Sequence, residues 1–421
     1  MSVIITMNMF YGVYTQGLVK YEDDSERFTS SMQGLMTTLC VIWFFIYIFT
    51  KNYAYMLLKI DFSKAFFMIV IIWSGGIFEF WATQQRINYK YKSLFIITLL
   101  MSVLQFILCL CGIIYSHNKS LAWIIGVAVS QFLICILLFL NQIKKERHLY
   151  SSHYWKYALC FSIPLIPHYL SQIVLSVSDR IMINNMIGTE AAGVYSFAYH
   201  VAMIMTMIQG AILNVVNPWI YRQIKNKTVE NISIVAYGTM TIVAMGNIAI
   251  IAFSPEMVSL LAPQAYHNAI WIIPPVSMGC FFMYCYSLFA DFSFYYNKTM
   301  SIMIASVAGA ILNVVLNYLL IPLFGEFVAG YTTMISYLVY IFMHYRMMCR
   351  TCYNNGVSNA YNKKILMLII VSFIFIGFMY LIMYNSICLR ICVTLTLVVI
   401  IIYRRKYFLE TIFKLMSLNK F

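Results

Sequence analysis

Apolar runs about as long as a lipid bilayer is thick recur through the whole chain. A helix that crosses the hydrocarbon core needs about 20 mainly apolar residues. Because lipid cannot satisfy the edge of an open sheet, each run is expected to form a helix. The sequence therefore predicts an all-α integral membrane protein, a polytopic bundle of about 13 spans with a short first span. The runs lie near 2–19, 32–50, 65–85, 93–115, 121–140, 156–178, 194–216, 231–253, 268–290, 300–322, 327–348, 364–384 and 386–403.

The composition agrees with lipid as the main solvent. Hydrophobic residues make up 62% of the chain and charged residues 10%, whereas soluble domains carry about 25% charged residues. The net charge of +14 is spread over short segments between the apolar runs, which argues against nucleic acid as a partner. Cys349 and Cys352 form a single CxxC without a second pair, so no metal site is expected. No cofactor is expected either.

Lysine and arginine are distributed unevenly between alternate loops. One set of loops holds six of the 28 basic residues, and the other set, together with the C-terminal tail, holds the remaining 22. Cytoplasmic loops of membrane proteins carry the excess of these residues. The larger set, and with it the C-terminus, is therefore expected to be cytoplasmic. The six residues on the other side are Lys51, Lys59, Lys64, Lys119, Arg180 and Arg390.

Prolines interrupt two of the predicted spans. Pro164 and Pro167 fall within one run, and Pro274 and Pro275 within another; Pro218, just after the run 194–216, is a further helix-kink candidate. Each proline removes a backbone hydrogen bond, so both runs are expected to kink in mid-span. Broken helices at membrane depth often line a substrate pathway, although a simple packing kink remains the alternative.

Few ionisable residues fall inside the runs, where each is costly. Glu79 lies about two turns from the cytoplasmic end of its helix. Asp179 and Arg180 close the kinked helix on the outer side and can partly neutralise each other. For Glu79 and Arg180, a role in a cavity and a structural role are equally open. His168 and His200 also lie inside the runs. A histidine at such a position more often makes a structural hydrogen bond than it relays protons.

Several stretches resemble Wzx-type polysaccharide flippases of the multidrug/oligosaccharidyl-lipid/polysaccharide exporter superfamily. The segment from Ser162 to Met205 matches a proline-kinked seventh helix, a terminal Asp-Arg and a Gly-x-Tyr-Ser that opens the eighth helix. Further matches follow residue 80, near 214–224 and over 311–337. The residues that carry the resemblance are Pro164, Pro167, Asp179, Arg180, Gly188, Gly193, Tyr195, Ser196, Asn214, Pro218, Tyr221, Arg86, Tyr91, Asn313, Asn317, Pro322, Gly325 and Gly330.

The resemblance implies two MATE-like lobes of six helices around a central cavity. Residues 1–150 would form the N-terminal lobe, 151–350 the C-terminal lobe, and 351–421 an extra helix pair with a cytoplasmic tail. If run 156–178 is the seventh helix, five runs precede it where six are expected. The first family helix is therefore expected to be missing from this sequence.

The function implied by the resemblance is transport of a lipid-linked sugar. An undecaprenyl-diphosphate-linked oligosaccharide would move from the cytoplasmic to the periplasmic leaflet of a bacterial inner membrane by alternating access, for O-antigen, lipopolysaccharide or capsule assembly. The partners would be this substrate, membrane lipids and other polysaccharide assembly proteins. A diphosphate needs cationic groups, for which Arg180, Arg86 and Lys90 are candidates. The substrate-cavity candidates are Arg180, Asp179, Glu79, His168, Tyr195, Arg86 and Lys90.

Two other function classes remain open. A multidrug or cation antiporter of the same superfamily would need a carboxylate in its cavity, for which Glu79 is the only deep candidate in the sequence. A membrane glycosyltransferase or polymerase would need a site in a sizeable outer loop, and the predicted outer loops do not exceed about 15 residues. The sequence therefore favours a transporter over an enzyme.

Overall fold

A computed structural model describes residues 2–10, 12–58 and 61–403, which form helices joined by short turns. No strand occurs among these residues, as the apolar runs predicted. Residue contacts divide the chain into two compact units, Met1–Ile166 and Pro167–Phe421. The three-part division at residues 150 and 350 stays a prediction. We describe each unit by itself.

The described residues of unit 1 form seven α-helices. They are α1 (Ser2–Thr6), α2 (Gly12–Lys20), α3 (Ser25–Leu58), α4 (Phe62–Ile87), α5 (Tyr91–Tyr115), α6 (Lys119–Lys145) and α7 (Ser152–Ser162). The first predicted run is thus two short helices. Met7 and Asn8 have φ values of 48° and 49°, which lie in the left-handed region that a helix excludes, so the chain breaks between α1 and α2.

In unit 2, up to residue 403, the structure describes nine α-helices. They are α8 (Ile166–Met186), α9 (Thr189–Lys225), α10 (Glu230–Ala252), α11 (Ser254–Leu261), α12 (Ile273–Tyr295), α13 (Thr299–Phe324), α14 (Phe327–Asn354), α15 (Lys363–Ile382) and α16 (Ile387–Tyr403). A 3₁₀ segment, Gln264–Trp271, precedes α12.

Eleven helices in the described ranges are long and apolar enough to cross a membrane, against the 13 spans expected. The two missing spans are the first and last predicted runs. The first is split as described above. The last run corresponds to α16, of which Ile387–Thr396 forms a shorter apolar helix within the residues whose side chains are described.

The two proline pairs have different effects. Pro164 lies in a 3₁₀ segment, Ile163–Leu165, and Pro167 is the second residue of α8, so at the predicted kink a short 3₁₀ segment joins α7 and α8 within one span, Ser152–Met186. Pro274 and Pro275 do not kink a span, and that prediction is wrong. They occupy the first turn of α12, where a residue without an N–H group loses no hydrogen bond. Pro218 lies inside α9 and is buried there.

Burial separates core helices from lipid-facing ones. In α12, 83% of the most apolar stretch is buried. The Phe, Tyr, Cys and Met side chains of this helix point to all of its sides. A helix that is apolar all round belongs in a core. In α5 the corresponding fraction is 6%, and Cys109 is its only buried residue. The apolar surface of α5 therefore suits contact with lipid.

The segment between α6 and α7 packs tightly on α3. Ser30 Oγ donates to the Glu146 carbonyl at 2.7 Å, and Trp155 Nε1 donates to the Ser31 carbonyl at 3.0 Å. A Cβ added at Gly34 would lie 2.0 Å from the Leu149 carbonyl oxygen. Glycine at this position therefore permits the close approach.

An ion pair joins α16 to α11 within unit 2. Arg390 donates to both carboxylate oxygens of Glu256 on α11, at 2.7 and 2.8 Å, and to the Ala252 carbonyl at 2.8 Å. Arg390 is buried. This pairing gives a structural reason for a basic residue in the loop set that is otherwise poor in them.

Candidate functional site

A buried carboxylate lies at the meeting point of four helices of unit 2. Asp179 on α8 is 1% exposed. Its Oδ2 accepts hydrogen bonds from Tyr195 Oη on α9 at 2.5 Å and from Thr333 Oγ1 on α14 at 2.8 Å. Its Oδ1 accepts from Asn317 Nδ2 on α13 at 2.6 Å. Charge-assisted hydrogen bonds of this kind offset part of the cost of burying the charge.

Side chains of α13 and α14 extend this network. Asn317 Nδ2 also lies 3.3 Å from Asn313 Oδ1, one helical turn earlier. Asn313 Nδ2 donates to Thr333 Oγ1 at 3.1 Å, and Thr332 donates to Asn317 Oδ1. These six residues (Asp179, Tyr195, Asn313, Asn317, Thr332 and Thr333) form the Asp179 cluster. It ties α8, α9, α13 and α14 together through polar groups that lipid cannot replace.

Arg180 does not pair with its neighbour Asp179. Successive residues of a helix point about 100° apart, and the Arg180 guanidinium lies over the ring of Tyr199, with Cζ 4.5 Å from the ring centre. Among the described residues, no carboxylate lies within ion-pair distance of the Arg180 guanidinium. The buried Nε atom of Arg180 also has no hydrogen-bond partner among these residues. The expected neutralisation of Arg180 by Asp179 is therefore not present.

His168 belongs to a second buried group, near the start of the same helix. Its Nδ1 hydrogen-bonds with Ser306 Oγ, which also hydrogen-bonds with the hydroxyl of Tyr340. Gln172 Nε2 donates to the same hydroxyl at 2.8 Å. The ring of His344, which the sequence reasoning missed, lies 4.5 Å from that of Tyr340. His200, in contrast, is exposed.

Glu79 and Arg86 meet in unit 1. Arg86 Nη1 lies 3.2 Å from Glu79 Oε2, and both side chains are partly buried. Lys90 is exposed at the start of α5 and joins neither group. The cationic candidates Arg86 and Lys90 are thus in unit 1, and Arg180 is in unit 2.

Glu79 also lines a cavity of about 430 Å³ within unit 1, which we call the unit 1 cavity. Helices α4, α5 and α6 supply most of its wall, and the residues around the break between α1 and α2 supply the rest. Its polar lining includes Thr6, Ser74 and Gln131, and its aromatic lining Phe10 and Phe78. This volume lies within the range of about 300–1,000 Å³ that is usual for small-molecule sites.

A further buried carboxylate, that of Asp291, was not predicted from the sequence. Asp291 on α12 is 2% exposed and lies beside Tyr221, with which it hydrogen-bonds. With its amide oriented to donate, Asn217 Nδ2 lies 3.1 Å from Asp291 Oδ2. Glu79 is therefore not the only deep acid, since Asp179 and Asp291 are both more buried. The sequence signal that could have identified Asp291 is a single acidic residue within the apolar run that forms α12.

The comparisons with known proteins assign the chain to a family. The model of the polysaccharide biosynthesis protein family matches residues 10–224, just over half of the chain. The chain belongs to this family. Its matched region includes Glu79, Arg86, Asp179 and Tyr195. No curated protein sequence matches the chain.

Solved structures share the fold of this polysaccharide biosynthesis protein. A MATE transporter of Vibrio cholerae, VcmN, has a TM-score of 0.67 at 11% identity, over 85% of this chain and 86% of that one. A MOP superfamily transporter from Pyrococcus furiosus has a TM-score of 0.65 at 12% identity, over 83% and 86%. The lipid II flippase MurJ has a TM-score of 0.57 at 12% identity, over 96% and 91%. The fold is therefore that of MATE transporters and MurJ.

Proposed function

We propose that this protein moves an undecaprenyl-diphosphate-linked oligosaccharide from the cytoplasmic to the periplasmic leaflet of a bacterial inner membrane. The observation that carries the proposal is the match to the polysaccharide biosynthesis family over residues 10–224. The fold supports it, because MurJ, which is similar in structure, is a lipid II flippase. The product would be used in surface polysaccharide assembly, as O-antigen, lipopolysaccharide or capsule, together with other assembly proteins.

The chemistry of such a substrate divides the work between lipid and protein. The polyprenyl tail remains in the hydrocarbon, so only the polar head group needs a path through the protein. Alternating access would open that path to one side of the membrane at a time. Binding and conformational change carry out this task without bond chemistry, which is why we assign no enzymatic activity.

Arg180 is the best candidate for meeting the diphosphate. Arginine binds phosphate through a planar fork of donors, and the Arg180 guanidinium is stacked on Tyr199 without an acidic partner in the part of the chain that the structure describes. The charge of Arg86, in contrast, is already paired with Glu79.

A second candidate function is antiport of organic cations. The MATE-like fold and the two buried carboxylates of unit 2, Asp179 and Asp291, favour it, since coupling to protons or metal cations needs such groups. Family membership ranks lipid-linked oligosaccharide first.

Reconstitution separates these functions. The purified protein in proteoliposomes with a fluorescent undecaprenyl-diphosphate-linked disaccharide should expose the inner-leaflet sugar to an added glycosidase faster than protein-free vesicles do. Unchanged exposure, with uptake of tetraphenylphosphonium driven by an ion gradient, would contradict the proposal and favour the antiporter.

A further inference from the structure

Helices α8 and α9 make two contacts that follow one another along both helices. Asp179 and Arg180 are consecutive on α8, and their partners Tyr195 and Tyr199 are about one helical turn apart on α9. Tyr195 Oη donates to Asp179 Oδ2 at 2.5 Å, and Arg180 Cζ lies 4.5 Å from the centre of the Tyr199 ring. The first contact fixes the register of α8 against α9, and in that register the second places a cation on an aromatic face.

The Tyr199 ring is held in place by its surroundings. Tyr199 is 6% exposed, and the centre of the Tyr195 ring lies 6.2 Å from that of Tyr199. On α12, Cys280 Sγ lies 3.8 Å from the Ala202 carbonyl oxygen, so α12 packs against α9 less than one turn further along. Because buried side chains are closely packed, the ring forms a fixed surface for the Arg180 guanidinium.

The contact with Tyr199 orients the guanidinium without using its hydrogen bonds. The N–H donors of arginine lie in the plane of the guanidinium, so a ring against its face leaves them for a ligand. The buried Nε atom of Arg180 has no hydrogen-bond partner in the part of the chain that the structure describes, so no hydrogen bond of that atom orients the group. An arginine that is already oriented loses less rotamer freedom when it binds an anion.

We propose that Tyr199 is a positioning residue, which orients the Arg180 guanidinium for an anionic group of the transported molecule. The inference rests on the proposed function, because that function supplies the anionic ligand. Tyr199 acts through Arg180 and need not contact the substrate. Loss of its ring should therefore weaken binding, while the charge of Arg180 and the later steps of transport remain.

Three substitutions isolate the ring of Tyr199. Tyr199→Leu removes the ring, and Tyr199→Met is a second variant without a ring, in case Tyr199→Leu does not fold. Tyr199→Phe keeps the ring and should behave as wild type, because the cation–π attraction comes from the ring. Phe197, on the same helix, packs on Tyr266 with ring centres 5.7 Å apart. Phe197→Leu removes that ring pair and is the matched control for packing.

Binding of farnesyl diphosphate to the purified protein in nanodiscs measures the anionic contact, and farnesol is the uncharged probe. We expect Tyr199→Leu to weaken binding of farnesyl diphosphate by about three- to tenfold and to leave binding of farnesol unchanged. Tyr199→Phe and Phe197→Leu should stay within about twofold of wild type. In the Arg180→Ala background, Tyr199→Leu should have no further effect, because the group that it positions is gone.

The proteoliposome assay separates binding of the substrate from its movement. In Tyr199→Leu, the KM for the fluorescent substrate should rise by the same factor as the dissociation constant of farnesyl diphosphate. The kcat should stay within about twofold of wild type. A purely structural role of Tyr199 would instead lower the melting temperature and kcat and would not raise KM selectively.

Several results would overturn the inference. An equal effect of Tyr199→Leu with and without Arg180 would assign Tyr199 to helix packing, and so would equal losses in Tyr199→Leu and Phe197→Leu. Farnesyl diphosphate that fails to bind wild type, or that binds Arg180→Ala equally well, would mean that Arg180 does not hold an anionic group. The proposed function fails separately, if wild type does not flip the fluorescent substrate, and the binding measurements still decide the role of Tyr199.

Discussion

At the scale of single residues, the structure separates two neighbours that the sequence reasoning treated as a pair. The Asp179 carboxylate accepts three hydrogen bonds from other helices of unit 2, whereas the Arg180 guanidinium stacks on the ring of Tyr199. The Asp179 carboxylate therefore links helices of unit 2, whereas the proposed function assigns the Arg180 charge to a ligand. The two positions call for opposite experimental outcomes.

Asp179→Ala should destabilise the protein. The change leaves donors of Tyr195, Asn317 and Thr333 unpaired in a buried place, at a cost of about 3 kcal/mol. A clear drop in melting temperature of the detergent-solubilised protein is expected. The control is Asp23→Ala, which removes an exposed carboxylate from the turn Glu22–Asp24. Equal melting temperatures for the two variants would contradict a structural role for the Asp179 cluster.

Arg180 should tolerate substitution in folding but not in transport. Arg180→Ala is expected to insert and express normally and to flip the fluorescent substrate slowly. Arg180→Lys keeps the charge but loses the planar fork, so a phosphate contact would weaken, whereas a simple anchor would survive. Full transport by Arg180→Ala in the proteoliposome assay would move the cationic site elsewhere.

At the scale of elements, hydropathy predicts most helices but not their ends or partners. The runs near 65–85 and 300–322 became α4 and α13 because lipid favours any apolar helix of that length. The kink predicted at Pro274 and Pro275 was wrong, because the sequence alone does not distinguish a proline at the start of a helix from one within it. Asp179 could be singled out, but its donors Asn317 and Thr333 lie more than 130 residues away. Local pattern cannot supply such contacts, and it likewise left the partners of Asp291 undetected.

The contact between α3 and the segment before α7 predicts a sharp difference between two glycines. Gly34→Ala places a methyl group 2.0 Å from the Leu149 carbonyl oxygen, so we expect a large loss of melting temperature or of folded protein. Gly75→Ala meets no neighbour and should be neutral or stabilising by up to about 1 kcal/mol. Thermal unfolding of both variants checks this, and similar values for the two would refute the close approach.

The Arg390–Glu256 pair predicts a pH-dependent stability of the α11–α16 contact. Hydrogen bonds from Arg390 hold the pKa of Glu256 below its ordinary value of 4.5. The stabilisation is therefore complete above about pH 4.5 and is lost as the pH falls through the lowered pKa. The effect should be modest, because the Glu256 side chain is 41% exposed.

Melting temperatures of wild type and Glu256→Gln measure this effect. The two should differ near about pH 7 and converge as the solution is acidified toward about pH 3. Glu190→Gln, which removes an exposed carboxylate at the start of α9, is the control. A difference between wild type and Glu256→Gln that stays constant with pH would argue against the ion pair.

At the scale of the whole molecule, the charges of the loops predict how the protein is oriented in the membrane. The excess of Lys and Arg in one set of loops predicts a cytoplasmic C-terminus, which lies outside the described residues. A reporter fused after Phe421 should therefore be active in the cytoplasm. One inserted between Ala262 and Pro263, after α11, should be active in the periplasm. The reverse pattern would overturn the orientation, and with it the proposed direction of transport.

The exposed face of α5 also indicates which membrane thickness suits this protein. Tyrosines lie at its two ends, Tyr91 and Tyr115, and the residues from Leu94 to Ile114 between them are mainly apolar. The helix has 25 residues, and its apolar stretch of about 21 residues is roughly 31 Å long, close to the roughly 30 Å of a typical hydrocarbon core. Tyrosine favours the headgroup level, so α5 can stand nearly upright with one ring in each interface. In a thinner bilayer, α5 would have to tilt, or its tyrosine rings would leave the headgroup level. The thickness of the host membrane is therefore one of the conditions on which the protein depends.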